Sequence, residues 1–134
     1  MNLKVKKREY FQPLAPVLLE EDFKKYFSIN KSIVKNLEWM GTLCDAKEEL
    51  YDKYSSIIHV DGTCRTQITK DEHSLTYKVL KNLKKSGSDI LVNTSFNISK
   101  DPVVFDLYDA YVNMKRMNIK FVIMDDGLYQ TKDI

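Results

Sequence analysis

Ile90-Leu91-Val92-Asn93-Thr94-Ser95-Phe96-Asn97 is the stretch on which the fold turns. Its first three residues form a short, unbroken apolar run, the pattern of a central strand buried on both faces, and the run empties into a polar segment. Before it lies a well-marked helix. Asp71 can cap that helix, Leu75, Val79, Leu80 and Leu83 recur toward one side, and Gly87 after Lys84 and Lys85 marks its end. After it, Asp106 caps a second amphipathic helix carrying Ala110, Tyr111, Met114 and Met117, and Phe121-Val122-Ile123-Met124 is expected to close the sheet. Strands alternating with helices indicate an α/β (α+β) domain.

Upstream, Ile57-Ile58-His59-Val60 and Arg65-Thr66-Gln67-Ile68-Thr69 are two β-leaning runs. They are joined through Asp61-Gly62-Thr63, where Asp-Gly supplies positive-φ turn chemistry. Residues 28–54 give mixed signals: Lys31 to Trp39 reads as helix or as extended chain, and Ala46 to Tyr54 as a helix. Lys4 to Tyr10 alternates loosely, as a strand would, and stops at Gln12-Pro13-Leu14-Ala15-Pro16, where the prolines argue against regular pairing. A short helix is expected next, with Val17, Leu18, Phe23, Tyr26 and Phe27 near one side and Glu20, Glu21 and Asp22 in its early turns.

A length of 134 residues with 43% hydrophobic residues suits one domain, 1–134, with one continuous core. Pro and Gly are scarce, and no linker or repeat divides the chain. The 21 basic and 19 acidic residues are interspersed and leave a formal net charge of +2, which argues against a nucleic-acid or membrane partner. No run approaches the roughly 18 apolar residues of a membrane span, and no signal-peptide apolar core follows the N-terminus, so a cytoplasmic location is expected. Cys44 and Cys64 match no C-x-x-C pair or disulfide framework, which suits a reducing compartment.

Three polar clusters interrupt or end apolar runs: Lys6-Lys7-Arg8, His59-Val60-Asp61-Gly62-Thr63-Cys64-Arg65, and Asn93-Thr94-Ser95-Phe96-Asn97. Strand ends and the loops leaving them are where a sheet presents ligand-binding groups. On an extended chain Lys6 and Arg8 point to the same side and can grip one anion, the guanidinium as a planar fork and the ammonium as a compact charge. Ser95 and Asn97 follow the same period and offer a hydroxyl and an amide, although both also suit local turn capping. Asp61 reads either as a turn residue or as a ligand for nucleotide-bound Mg²⁺. Arg65 reads as a phosphate or base ligand or as half of an ion pair.

The spacing of the two histidines, His59 and His73, fits no metal motif, so His59 reads as a structural or ligand-positioning group and no metal site is expected. Trp39 and Met40 are expected in the core more than as a stacking platform. The chain has no Walker phosphate loop, no dinucleotide glycine motif and no serine elbow.

In this order the clusters resemble the C-terminal, YrdC-like domain of the NodU/CmcH/TobZ O-carbamoyltransferases. That pattern runs approximately V-K-x-R-E-x-F-R-P-F-A-P, then H-V-D-G-T-x-R-x-Q, then N-T-S-F-N. The matching text is Val5 through Pro16, His59 through Gln67 and Asn93 through Asn97, and the resemblance extends from about residue 4 to about residue 124. Two positions differ: Gln12-Pro13-Leu14 stands for R-P-F, which removes one cation, and Ser99-Lys100 replaces a usual Gly.

The resemblance implies a twisted mixed sheet with flanking helices. It maps Lys6, Arg8, Ser95 and Asn97 onto a Lys-x-Arg and Ser-x-Asn nucleotide and phosphate tetrad, with Arg65 as a further ligand and His59, Asp61, Thr63 and Asn93 beside it. It implies binding of ATP with Mg²⁺ and of carbamoyl phosphate, and formation of carbamoyl adenylate, with Lys6, Arg8 and Arg65 neutralising phosphate charge. Transfer to a hydroxyl acceptor would need a kinase-fold domain, in cis or in trans. The alternative is a stand-alone, non-catalytic protein of the same fold that binds a nucleotide or nucleotide derivative.

Overall fold

Ala15–Leu19 (β1) is buried at all five positions, and the sequence needs that: it is apolar on both faces of the pleat. In the computed structural model, which describes residues 1–124 and 126–131, β1 is the middle strand of a three-stranded sheet. It runs parallel to Gln67–Thr69 (β5), with Leu18 opposite Ile68, and antiparallel to Leu91–Asn93 (β6), with Pro16 opposite Val92. Leu18 packs into a cluster with Phe27, Leu37, Leu50 and Ile57, while Val17 and Leu19 meet Leu80 in another. This is the period-two consequence of a strand covered on both sides.

Two compact units make up the chain: a sheet unit, Pro13–Thr94, and a terminal unit formed by Met1–Gln12 with Ser95–Ile134. The sheet unit continues from β1 into a helix, Glu20–Tyr26 (α1), whose first turn carries Glu20, Glu21 and Asp22. A second three-stranded sheet follows, antiparallel throughout, from Phe27–Ser28 (β2), Cys44–Ala46 (β3) and Thr63–Cys64 (β4). A 3₁₀ helix, Lys31–Trp39, and a helix, Glu48–Tyr54 (α2), fill the connections, and Leu75–Lys85 (α3) leads toward β6. Asp89 is buried at 8% exposure and accepts bonds from Tyr26 Oη at 2.7 Å and Lys25 Nζ at 3.0 Å.

The terminal unit begins with one wide helical turn, Asn2–Lys6, in which the Lys6 N–H reaches Met1 O at 3.1 Å. It also holds a helix, Leu107–Arg116 (α4), and a hairpin of Phe121–Met124 (β7) and Gly127–Gln130 (β8). Asp106 caps α4 through Asp109 N–H at 2.8 Å, as expected from sequence. The α/β class is likewise as expected, with mixed parallel and antiparallel pairing. No helix among the described residues is long and apolar enough to cross a membrane.

Several sequence expectations are corrected. The expected strand at Lys4–Tyr10 is replaced by the Asn2–Lys6 turn, because Asn2 Nδ2 ties the chain back by bonding Tyr10 O at 3.1 Å and Gln12 O at 2.6 Å. Val17 and Leu18 belong to a strand and not to a helix. Pro16 is tolerated there because pairing with β5 starts only at Val17, so the N–H that proline lacks is not needed on that side. β6 is an edge strand with Val92 exposed, since β1 holds the central place.

The two runs around Asp61-Gly62 do not form a hairpin with each other. Thr66 is fully buried at the crossing, and there the chain steps from β4 in one sheet to β5 in the other. Residues 121–124 pair with β8 in the terminal unit, so they do not close the main sheet. Ser74 caps α3, where Asp71 was expected, because its Oγ accepts from Tyr77 N–H at 3.2 Å. Trp39 is 84% exposed, and Leu37 takes the buried place instead. Cys44 and Cys64, 20 residues apart in sequence, stand opposite each other across β3 and β4 as buried free thiols.

Candidate functional site

Lys6 is 2% exposed, an unusual place for an ammonium. The wide N-terminal turn delivers it into the loop after β6. There Nζ donates to Ser95 O, to Asn97 Oδ1 at 3.0 Å and to Ser95 Oγ at 3.3 Å. Three acceptors match its three protons. Ser95 Oγ in turn donates to Asn97 Oδ1 at 2.5 Å, and Asn97 Nδ2 to Asp101 O at 2.7 Å. The Ser99 N–H donates to Lys6 O at 2.8 Å, so backbone and side chain both hold the lysine against this loop.

Burial, and then the positive charge of Arg8, push the Lys6 pKa below its ordinary value. Arg8 is half-buried and donates Nε–H to Asn2 Oδ1 at 3.0 Å. That bond uses one of the five guanidinium donors. Lys7, between them, adopts φ 51°, so Lys6 and Arg8 do not alternate along an extended strand; the turn places each separately. Asn2, which orients Arg8 and closes the loop to Gln12, was not legible as a site residue.

In the sheet unit, the second cluster forms a locked turn. Gly62 N–H donates to His59 O at 3.0 Å, and His59 N–H to Thr63 O at 2.8 Å. Thr63 N–H and Oγ1–H both donate to Asp61 Oδ1, at 3.0 and 2.7 Å. Those bonds, the hydroxyl first, hold the exposed Asp61 carboxyl below its ordinary pKa. With its only proton given to Asp61, Thr63 Oγ1 accepts from His59 Nδ1 at 3.0 Å. A neutral His59 then carries its lone pair on Nε2.

His59 and the exposed Arg65 line a cleft of about 250 Å³ with Pro13, Leu14 and Ala15. The first and second motifs therefore meet there. Asp61 uses Oδ1 to close its own turn, and among the described residues no group of three or more His, Cys, Asp or Glu side chains could hold a metal ion.

Asn93, at the end of β6, reaches across β1 and donates Nδ2–H to Gln67 Oε1 at 2.8 Å. Gln67 was quoted in the second motif without a role; its bond to Asn93 links the second and third motifs. The structure thus gathers Lys6, Ser95 and Asn97, with Arg8 two residues on, in the terminal unit. His59, Asp61, Thr63 and Arg65 gather around one turn of the sheet unit, and Asn93 pairs with Gln67 beside a larger cleft.

The family model described as "Carbamoyltransferase C-terminus" matches residues 1–131. The chain belongs to that family. The nodulation protein NolNO of Sinorhizobium fredii is 34% identical over 98% of this chain and 20% of its own length. NolO of Bradyrhizobium diazoefficiens is 36% identical over 82% of this chain and 20% of its own. The 3'-hydroxymethylcephem-O-carbamoyltransferase of Amycolatopsis lactamdurans is 25% identical over 94% of this chain and 24% of its own. This carbamoyltransferase C-terminal domain therefore spans about a fifth of the length of the curated relatives it matches. Within it, the ordered motifs make three local structures: a buried ammonium held between the first and third, a locked histidine turn in the second, and an amide pair joining the second and third.

Proposed function

We propose that this domain is the activating part of an O-carbamoyltransferase: it binds MgATP and carbamoyl phosphate and forms carbamoyl adenylate. A kinase-fold partner, in the same chain or a separate one, then delivers the carbamoyl group to a hydroxyl acceptor. The observation that carries this reading is the convergence of buried Lys6 on Ser95 and Asn97 across about 90 residues of sequence. Burying an ammonium is costly, and the three acceptors that hold Lys6 are all neutral, so its positive charge is left uncompensated and available to an anion.

In the proposed reaction water first releases phosphate from carbamoyl phosphate. A carbamate oxygen then bonds to the α-phosphorus of ATP, the α–β anhydride bond breaks, and pyrophosphate leaves with the electron pair. Lys6 and Arg8 offset the charge that collects on the phosphate oxygens, and Arg65 is a further cation for anionic substrate. Mg²⁺ enters on the nucleotide, as part of the substrate. Support also comes from the family assignment and from the O-carbamoyltransferase among the relatives.

The test is to incubate the protein with MgATP and carbamoyl phosphate, alone and with a kinase-fold partner, and to follow pyrophosphate. Release that depends on carbamoyl phosphate and disappears in Lys6→Ala is the expected result. ATP binding without release would indicate a binding protein without turnover. ATP affinity unchanged by Lys6→Ala would refute the site.

A further inference from the structure

The core of the sheet unit is open on one side. Phe23 and Phe27, stacked with ring centroids 5.5 Å apart, and Ile68 form the floor of a cleft of about 640 Å³. All three belong to the main apolar cluster, and Ile29 and Val34, which pack against that cluster, are left half-buried in the cleft. The volume lies within the roughly 300–1,000 Å³ of small-molecule sites, and an apolar guest there would extend the core.

The walls are fixed before any guest arrives. Lys47 closes the end of α1: its N–H donates to Tyr26 O at 2.9 Å and its Nζ to Lys24 O. Asn30 caps the 3₁₀ helix by accepting from Ser32 N–H at 3.0 Å, which sets the turn that carries Lys31 and Val34. A preformed cleft loses little conformational freedom on binding.

The charges around the cleft are unequal. Lys24, Lys31 and Lys47 line it together with Glu20 and Glu21. Glu21 is already held by Lys81 and Lys84, both at 3.0 Å, whereas none of the three lining lysines makes an ion pair among the described residues. Three cations therefore stand against one unengaged carboxylate, that of Glu20, and the balance favours an anionic guest.

We propose that this cleft binds an amphiphilic monocarboxylate, with its aliphatic chain on Phe23, Phe27 and Ile68 and its carboxylate at Lys24 and Lys31. An inorganic anion would leave the apolar floor wet, and a neutral hydrocarbon would leave the cations unused. Every group involved belongs to the sheet unit and none takes part in the chemistry of Lys6, so failure of this site would leave the carbamoyl adenylate reading untouched.

The probe is decanoate, kept below micelle formation and titrated against the full chain by calorimetry and by amide chemical shifts. One equivalent should bind, and each CH₂ removed on going to octanoate and hexanoate should weaken binding roughly three- to fourfold. Lys24→Glu with Lys31→Glu, both exposed, should weaken it roughly 5- to 30-fold with the far-ultraviolet circular dichroism unchanged. Val34→Thr, close to isosteric, should weaken it roughly 2- to 5-fold, and decylammonium should bind at least about tenfold more weakly than decanoate. Decanoate affinity within about twofold of the native chain in the double variant would overturn the proposal. So would decylammonium binding as tightly as decanoate, equal affinity for hexanoate and decanoate, or silence in both measurements at millimolar decanoate.

Discussion

Replacing Gly62 with Ala places a Cβ on a residue at φ +82°, and this left-handed conformation costs an L-residue about 1–2 kcal/mol. The new Cβ would also stand 2.9 Å from Tyr51 Oη. That contact is the far end of a side chain that is 46% exposed, so it can swing aside and the backbone cost dominates. The expected loss is about 1–2 kcal/mol in urea unfolding, with an unchanged slope, or roughly 3–10 °C in Tm. Gly62→Asn should lose less, since Asn tolerates this conformation better than Ala. In a Tyr51→Phe background the loss should persist within about 0.5 kcal/mol. A loss below about 0.5 kcal/mol, or recovery of most of it by Tyr51→Phe, would refute the reasoning that backbone handedness sets this turn.

Lys6→Met removes a charge-assisted donor, so ATP affinity measured by calorimetry should fall roughly 10- to 150-fold, and Lys6→Arg should not restore it because a planar fork does not match three clustered acceptors. Burial raises the Asp89 carboxyl pKa, but the bonds from Tyr26 and Lys25 outweigh it and leave the folded value depressed. Its stabilisation is therefore complete above the unfolded value near about 3.9 and is lost as pH falls through the folded one, and Asp89→Asn should flatten the acid limb of a stability profile. Burial, followed by the neighbouring Cys44 and Asp61, pushes the Cys64 thiol up to about 12, so labelling by an aromatic disulfide at pH 8 should run at least about tenfold slower in the native protein than in denaturant. Leu18→Ala, at a fully buried position of β1, should cost about 2–5 kcal/mol in denaturant titration.

The features legible in the sequence are those whose partners lie within a few residues. Asp106 caps α4 through the N–H three residues on, Gly87 ends α3 at φ +84°, and Asp-Gly bends the chain before Thr63. Each is a local balance of hydrogen bonds and backbone freedom, and no distant residue can change it much. The three motifs were legible in the same way, as text. Their geometry was not: Lys6 read as a cation alternating with Arg8 on an extended chain, and only the loop carrying Ser95 and Asn97 makes it a buried one.

Sequence by itself determined the α/β class, the Asp106-capped α4, the turn at Gly62 and the family, because composition, local capping and ordered motifs need no knowledge of what packs where. Tertiary structure decided which strand is central, that Cys44 faces Cys64, and that Gln67 pairs with Asn93. It also left Trp39 in water while Leu37 went inside. The physical reason is that an apolar run carries no label for its partner. Ala15–Leu19 and Ile90–Val92 are equally able to be buried, and the outcome depends on which faces meet between residues 50 to 78 positions apart in the chain.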